Sequence, residues 1–136
     1  MFSIRSLSSG DFLYENGSRV PYRASPHKWQ GFGGGGRKFL IMHYTGGASG
    51  QSSIDWFTNP ASRVAAHDVI DRDGTVTQCV PFTDRAWHCG PSRWRDGTGT
   101  VFEGLNNWSI GIELANSGAC RQTASGAWTV SYTHLA

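Results

Sequence analysis

Apolar residues fall in a few short runs separated by glycine, proline and aspartate, and these runs predict the elements. Phe39-Leu40-Ile41-Met42 is a continuous apolar run and predicts a strand buried on both faces. His43-Tyr44-Thr45 follows at its C-terminal end before Gly46-Gly47 breaks the pattern. Residues 52–57 predict the start of a helix, with Ser52 and Asp55 spaced as a capping pair, and Asn59-Pro60 stops it. Residues 65–71 and 75–80 flank Arg72-Asp73-Gly74, and Asp-Gly between two β-rich runs predicts a hairpin. The Trp-, Arg- and Gly-rich stretch 84–104 predicts a long ordered loop. Residues 109–114 alternate strictly, with Ile110, Ile112 and Leu114 on one face and Ser109, Gly111 and Glu113 on the other. A carboxylate in so apolar a strand needs a chemical reason.

Pro21, Pro26 and the run Gly33-Gly34-Gly35-Gly36 predict an irregular leader over 1–36, followed by one domain over 37–136. A phosphate-cradling loop would follow a strand and open a helix; this glycine run precedes a strand and reads as a flexible connection. The fold class is α/β (α+β), a mixed central sheet flanked by helices.

Composition narrows the function. A chain of 136 residues suits a single core. Charged residues make up 16% and aromatic residues 12%, with 18 glycines, which excludes a charge-rich disordered chain. It suits a loop-rich domain that presents flat rings to a ligand. A net charge of +2 is too mild for an electrostatic grip on nucleic acid. No apolar stretch approaches the ~20 residues of a membrane span, and the N-terminal residues lack the pattern of a signal peptide. Cys79, Cys89 and Cys120 form neither a CxxC pair nor an even set, so free thiols are expected, and with no signal-peptide pattern a cytoplasmic location. A monomer is expected.

Four residues stand apart from scaffold: His43 at the end of the first central strand, His67, His88 in Ala86-Trp87-His88-Cys89-Gly90, and the strand residue Glu113. Singly, a strand histidine is most often a hydrogen-bonded structural residue, and Glu113 could pair with Arg85 or Arg93. Together they are the residue types with which zinc hydrolases hold metal and move protons. No compact zinc motif such as HExxH is present, so spacing alone leaves the assignment open.

The order of segments is more specific. Phe39 to Thr45, then Ala66-His67-Asp68-Val69-Ile70-Asp71-Arg72-Asp73-Gly74, Val80-Pro81-Phe82, Arg85 to Gly90 and Asn106-Asn107-Trp108-Ser109-Ile110-Gly111-Ile112-Glu113-Leu114, resembles the type 2 N-acetylmuramoyl-L-alanine amidases over roughly residues 38–118. These share their fold with the peptidoglycan recognition proteins. The resemblance implies hydrolysis of the amide between N-acetylmuramic acid and L-alanine in peptidoglycan or muropeptides, with Zn2+ as cofactor. It implies His43 as a metal ligand and Glu113 as the general base. Trp87, His88 and Asn106 are implied as substrate contacts and His67 as a supporting residue. Ala66 stands where some relatives carry a tyrosine, which argues against a tyrosine-assisted step. The family pattern brings its remaining metal ligands, and a helix that packs on the sheet, from a later segment. His134 and Cys120 do not fit that pattern and read as bystanders. The chain is therefore expected to lack the C-terminal part of the domain, to expose apolar sheet surface and to hold zinc weakly. A non-catalytic peptidoglycan-binding module is the alternative reading.

Overall fold

The computed structural model describes residues 1–33, 35–47, 49–118 and 120–130. The chain forms β1 (Phe2–Leu7), β2 (Gly10–Glu15), β3 (Ser18–Arg19), β4 (Lys28–Trp29), β5 (Phe39–Tyr44) and α1 (Gly50–Thr58). Then come β6 (Asp68–Ile70), β7 (Val76–Gln78), β8 (Arg85–Ala86), β9 (Arg93–Arg95) and β10 (Val101–Glu103). A 3-10 turn (Leu105–Asn107), β11 (Ser109–Leu114), β12 (Cys120–Gln122) and β13 (Trp128–Val130) complete it.

The central sheet has the order β5-β11-β6-β7. β11 is parallel to both β5 and β6, and β7 returns antiparallel to β6 through the Asp73-Gly74 turn, so the sheet is mixed. The connection from β5 through α1 to β6 skips one place, which β11 fills. It carries α1 onto one face, where Ile54 and Phe57 close over Ala65, Ala66, Val69, Cys79, Val80 and Ala86.

Four expectations change. Residues 1–36 are not irregular: β1, β2 and β3 form an antiparallel sheet. Its second turn is Asn16-Gly17, with φ of 49° and 85°, the pair that a tight hairpin turn requires. The prolines and the glycine run fall after this sheet and leave it intact. The segment is also tied to the domain, since buried Gln78 accepts from the Leu13 amide and donates to the Val80 carbonyl. Arg37 pairs with Asp11 at 2.9 Å.

β5 is half-buried and not buried on both faces; Leu40 is 60% and Tyr44 61% exposed. It lies at the sheet edge, and its second face, shared with Ile110, Ile112 and Ile70, opens onto an apolar groove of about 550 Å³ reaching Phe2, Ile4 and Leu13. The helix starts before Ser52, because Ser49 is the cap, its hydroxyl accepting from the Ser52 amide at 3.3 Å. Asn59 ends the helix as expected. The stretch 84–104 is not a plain loop: it holds β8, which pairs with β4, and the β9–β10 hairpin. Phe102 of that hairpin is buried against Phe39, Trp94 and Trp108.

Candidate active site

Parallel pairing puts Glu113 beside His43, Gly111 beside Ile41 and Ser109 beside Phe39. Residues paired in this way point to one face, so His43, Ser109, Gly111 and Glu113 share the face that α1 covers further along. The turn after β8 lays His88 and Cys89 over the same face. Its ring rests directly on Gly111, where a Cβ would lie 2.4 Å from His88 Cγ. Any side chain at 111 would occupy the position of the imidazole.

Hydrogen bonds fix the orientation of that ring. Ser109 Oγ donates to the Leu105 carbonyl at 2.6 Å, so it accepts from His88 Nε2 at 3.1 Å. His88 therefore carries its hydrogen on Nε2 and turns a bare Nδ1 inward. That Nδ1 lies 2.9 Å from His43 Nε2 and 3.1 Å from Cys89 Sγ, and Cys89 Sγ lies 4.0 Å from His43 Nε2. Asn106 secures the turn from behind. Its Oδ1 accepts from the amides of His88 at 3.0 Å and Cys89 at 2.8 Å.

His67 lies beneath the cluster, fully buried. Its Nε2 donates to the Asp84 carbonyl at 3.0 Å and its Nδ1 accepts from the Gly111 amide at 3.0 Å. Both ring nitrogens are occupied, which leaves no lone pair for a ligand. Burial lowers its pKa to about 4, overriding the backbone hydrogen bonds that act the other way. Burial also lowers His88 to about 3, helped by the neighbouring His67 and His43.

Glu113 has a buried Oε2 with no hydrogen-bond partner. Arg85 is committed to Asn107 at 2.6 Å and Arg93 lies against Glu103 at 3.4 Å, so neither neutralises it. Burial pushes the Glu113 carboxyl up to about 7. Burial, and then the charge of Glu113, push the Cys89 thiol up to about 11. Three donors from His43, His88 and Cys89 within 4.8 Å of one another, beside an unpartnered carboxylate, are a chemical set suited to a divalent cation.

The fold thus brings together His43, His88 and Glu113, with Asn106 one step behind and His67 below. Trp87 lies apart, its ring 5.4 Å from His27 and 5.2 Å from the half-exposed ring of Trp29. His134 lies outside the described residues. Cys89, Ser109 and Gly111 were not singled out by sequence reasoning. The adjacent His88-Cys89 pair was the available signal for the first; the other two needed the third dimension.

A mixed sheet whose adjacent strand ends present metal-type donors beside a half-buried carboxylate holds the residue types found in hydrolytic metal sites. The chain belongs to the N-acetylmuramoyl-L-alanine amidase family, whose model matches residues 34–135. It is 47% identical over 55 residues to the 1,6-anhydro-N-acetylmuramyl-L-alanine amidase AmpD of Haemophilus influenzae, covering 40% of this chain and 27% of that protein. A crystal structure of a selenomethionine AmpD derivative superposes with a TM-score of 0.58 at 32% identity, covering 71% of this chain and 61% of that one. AmiD of Escherichia coli was solved with the substrate anhydro-N-acetylmuramic acid-L-Ala-D-gamma-Glu-L-Lys. It matches with a TM-score of 0.53 at 27% identity, covering 93% of this chain and 44% of AmiD. The chain thus spans about a quarter of the curated AmpD length.

Proposed function

We propose that this chain carries the catalytic face of a zinc-dependent amidase that hydrolyses the bond between N-acetylmuramic acid and L-alanine in muropeptides or peptidoglycan. The observation that carries the reading is Glu113, a half-buried carboxylate in register with His43, its Oε2 buried without a hydrogen-bond partner. A module that only bound glycan would have no use for such a group, because leaving its buried oxygen unpartnered costs stability with no return in binding.

A zinc ion held through His43 would polarise the scissile carbonyl and acidify the attacking water. Glu113 takes one proton from that water as its oxygen bonds to the lactyl carbonyl carbon. It returns the proton to the alanine nitrogen as the C–N bond breaks. A carboxyl raised to about 7 suits both halves of this exchange near neutral pH. His67 holds the Gly111 backbone, and through it the floor under His88. Trp87, with Trp29, offers flat apolar surface to a sugar face. The amide acceptor Asn106 contributes by keeping the His88-Cys89 turn in place. Cys79 and Cys89 are free thiols, which supports a reducing, cytoplasmic compartment.

The test is release of stem peptide from purified muropeptides, followed by chromatography, for the chain and its Glu113→Gln variant. The variant is expected to lose about 10²- to 10⁴-fold in rate while retaining its fold. Full activity in the variant would remove Glu113 from the mechanism.

A further inference from the structure

We propose that Lys28 is a positioning residue for the reaction: the arm 27–32, which lies outside the family-matching residues 34–135, holds His67 through Asp84 and thereby fixes Gly111 beneath His88. The inference rests on the amidase reading above and extends the site to a segment that the family match leaves out.

Contacts at Asp84 carry it. Its Oδ2 accepts from Lys28 Nζ at 2.7 Å and its Oδ1 from the Gly31 amide at 3.3 Å, so the arm holds both carboxylate oxygens. Its backbone carbonyl accepts from His67 Nε2 at 3.0 Å. That bond keeps the ring hydrogen on Nε2 and leaves Nδ1 bare to accept from the Gly111 amide at 3.0 Å. The His67 amide in turn donates to the Gly111 carbonyl at 2.9 Å, so one residue grips both backbone groups of Gly111. His88 rests on Gly111, and Glu113 lies two residues further along the same strand.

The arm is seated for this role. Lys28 pairs with Ala86 and Trp29 with Arg85, and the His27 carbonyl accepts from the Trp87 amide at 3.3 Å, alongside the chain that leads into His88. Phe32 stacks on the His67 ring at 6.3 Å with 14° between the planes, and Phe82 does so at 6.1 Å and 26°. Asp84 is buried and the Lys28 side chain is 32% exposed. A pair so placed is screened less than a surface pair. Without Lys28, the buried carboxylate keeps the Gly31 amide as its one donor among the described residues. An uncompensated charge turns toward water, and the Asp84 backbone, with the acceptor for His67, moves with it.

Nuclear magnetic resonance of the full chain tests this without turnover. In the parent, long-range proton–nitrogen correlation spectra are expected to show the His67 ring with its hydrogen on Nε2. Lys28→Met should speed hydrogen exchange of the Gly111 amide about 10- to 100-fold. The Ala115 amide, bonded to the Ile70 carbonyl at 2.8 Å in the same sheet, should change by less than about twofold. Release of stem peptide should fall about 10-fold in kcat with KM unchanged, and Lys28→Arg should restore both readouts. If Lys28→Met does not fold, Phe32→Leu, which keeps the ion pair but withdraws the ring from His67, decides by the same ratio of exchange rates. The proposal is overturned by a His67 hydrogen on Nδ1, by a Gly111 rate that is unchanged or rises only in parallel with Ala115, by an unchanged kcat in Lys28→Met, or by Lys28→Arg behaving as Lys28→Met. A loosened Gly111 in a chain whose parent releases no stem peptide would refute the amidase reading alone.

Discussion

Replacing Gly111 by alanine should damage the site far more than one methyl group suggests. The backbone at 111 does not require glycine for its dihedral angles; what forbids a side chain is His88. The added Cβ would lie 2.4 Å from Cγ, 2.5 Å from Nδ1 and 2.8 Å from Cδ2 of that ring. Carbon atoms in contact settle about 3.5–4.0 Å apart, so the imidazole must retreat by about 1 Å. The Ser109 and His43 hydrogen bonds, at 3.1 and 2.9 Å, cannot follow such a move. Overpacking of this kind costs about 1–3 kcal/mol, which for a domain of this size lowers Tm by about 4–12 °C. Thermal melts of Gly111→Ala measure the effect, with Gly97→Ala as control because its Cβ would meet nothing within 4 Å. An unchanged Tm in Gly111→Ala would refute the steric reasoning.

Two further outcomes are expected. Asp68 is buried with an unpartnered Oδ1, and burial raises its pKa from 3.8 to about 7. The folded state therefore holds this proton more tightly than the unfolded chain. Asp68 costs nothing below about pH 4, and stability is lost as pH rises from there to about 7, by an amount of the order of 4 kcal/mol. Asp68→Asn should gain on the parent between pH 5 and pH 8 in denaturant melts, and parallel pH profiles would contradict it. Asn106→Ala should leave the amides of His88 and Cys89 without their acceptor, costing about 1–3 kcal/mol. Thermal melts read this loss, and a Tm equal to the parent's would show that the turn holds itself.

The elements legible in the sequence were those with local signals. The Asp73-Gly74 hairpin, the β11 alternation and the stop at Asn59 depend on turn chemistry and side-chain periodicity, which act over a few residues. Asn16-Gly17 carried an equally local signal, but the prolines and glycines downstream masked it. The full apolar run of β5 misled, because a continuous run reads as doubly buried while a strand's place in the sheet depends on distant partners. β5 is at the edge, with one face open.

The same division runs through the site. By itself the sequence determined the family resemblance, the candidate residues His43, His88 and Glu113, and the odd presence of a carboxylate in an apolar strand. Only the tertiary structure brought Cys89 to His43, made Ser109 the partner that sets the His88 tautomer, and made Gly111 the space beneath its ring. These are contacts between residues 21 to 46 positions apart. Their distances come from the parallel register of β5 and β11 and the path of the turn after β8, and no local pattern in the chain encodes a distance.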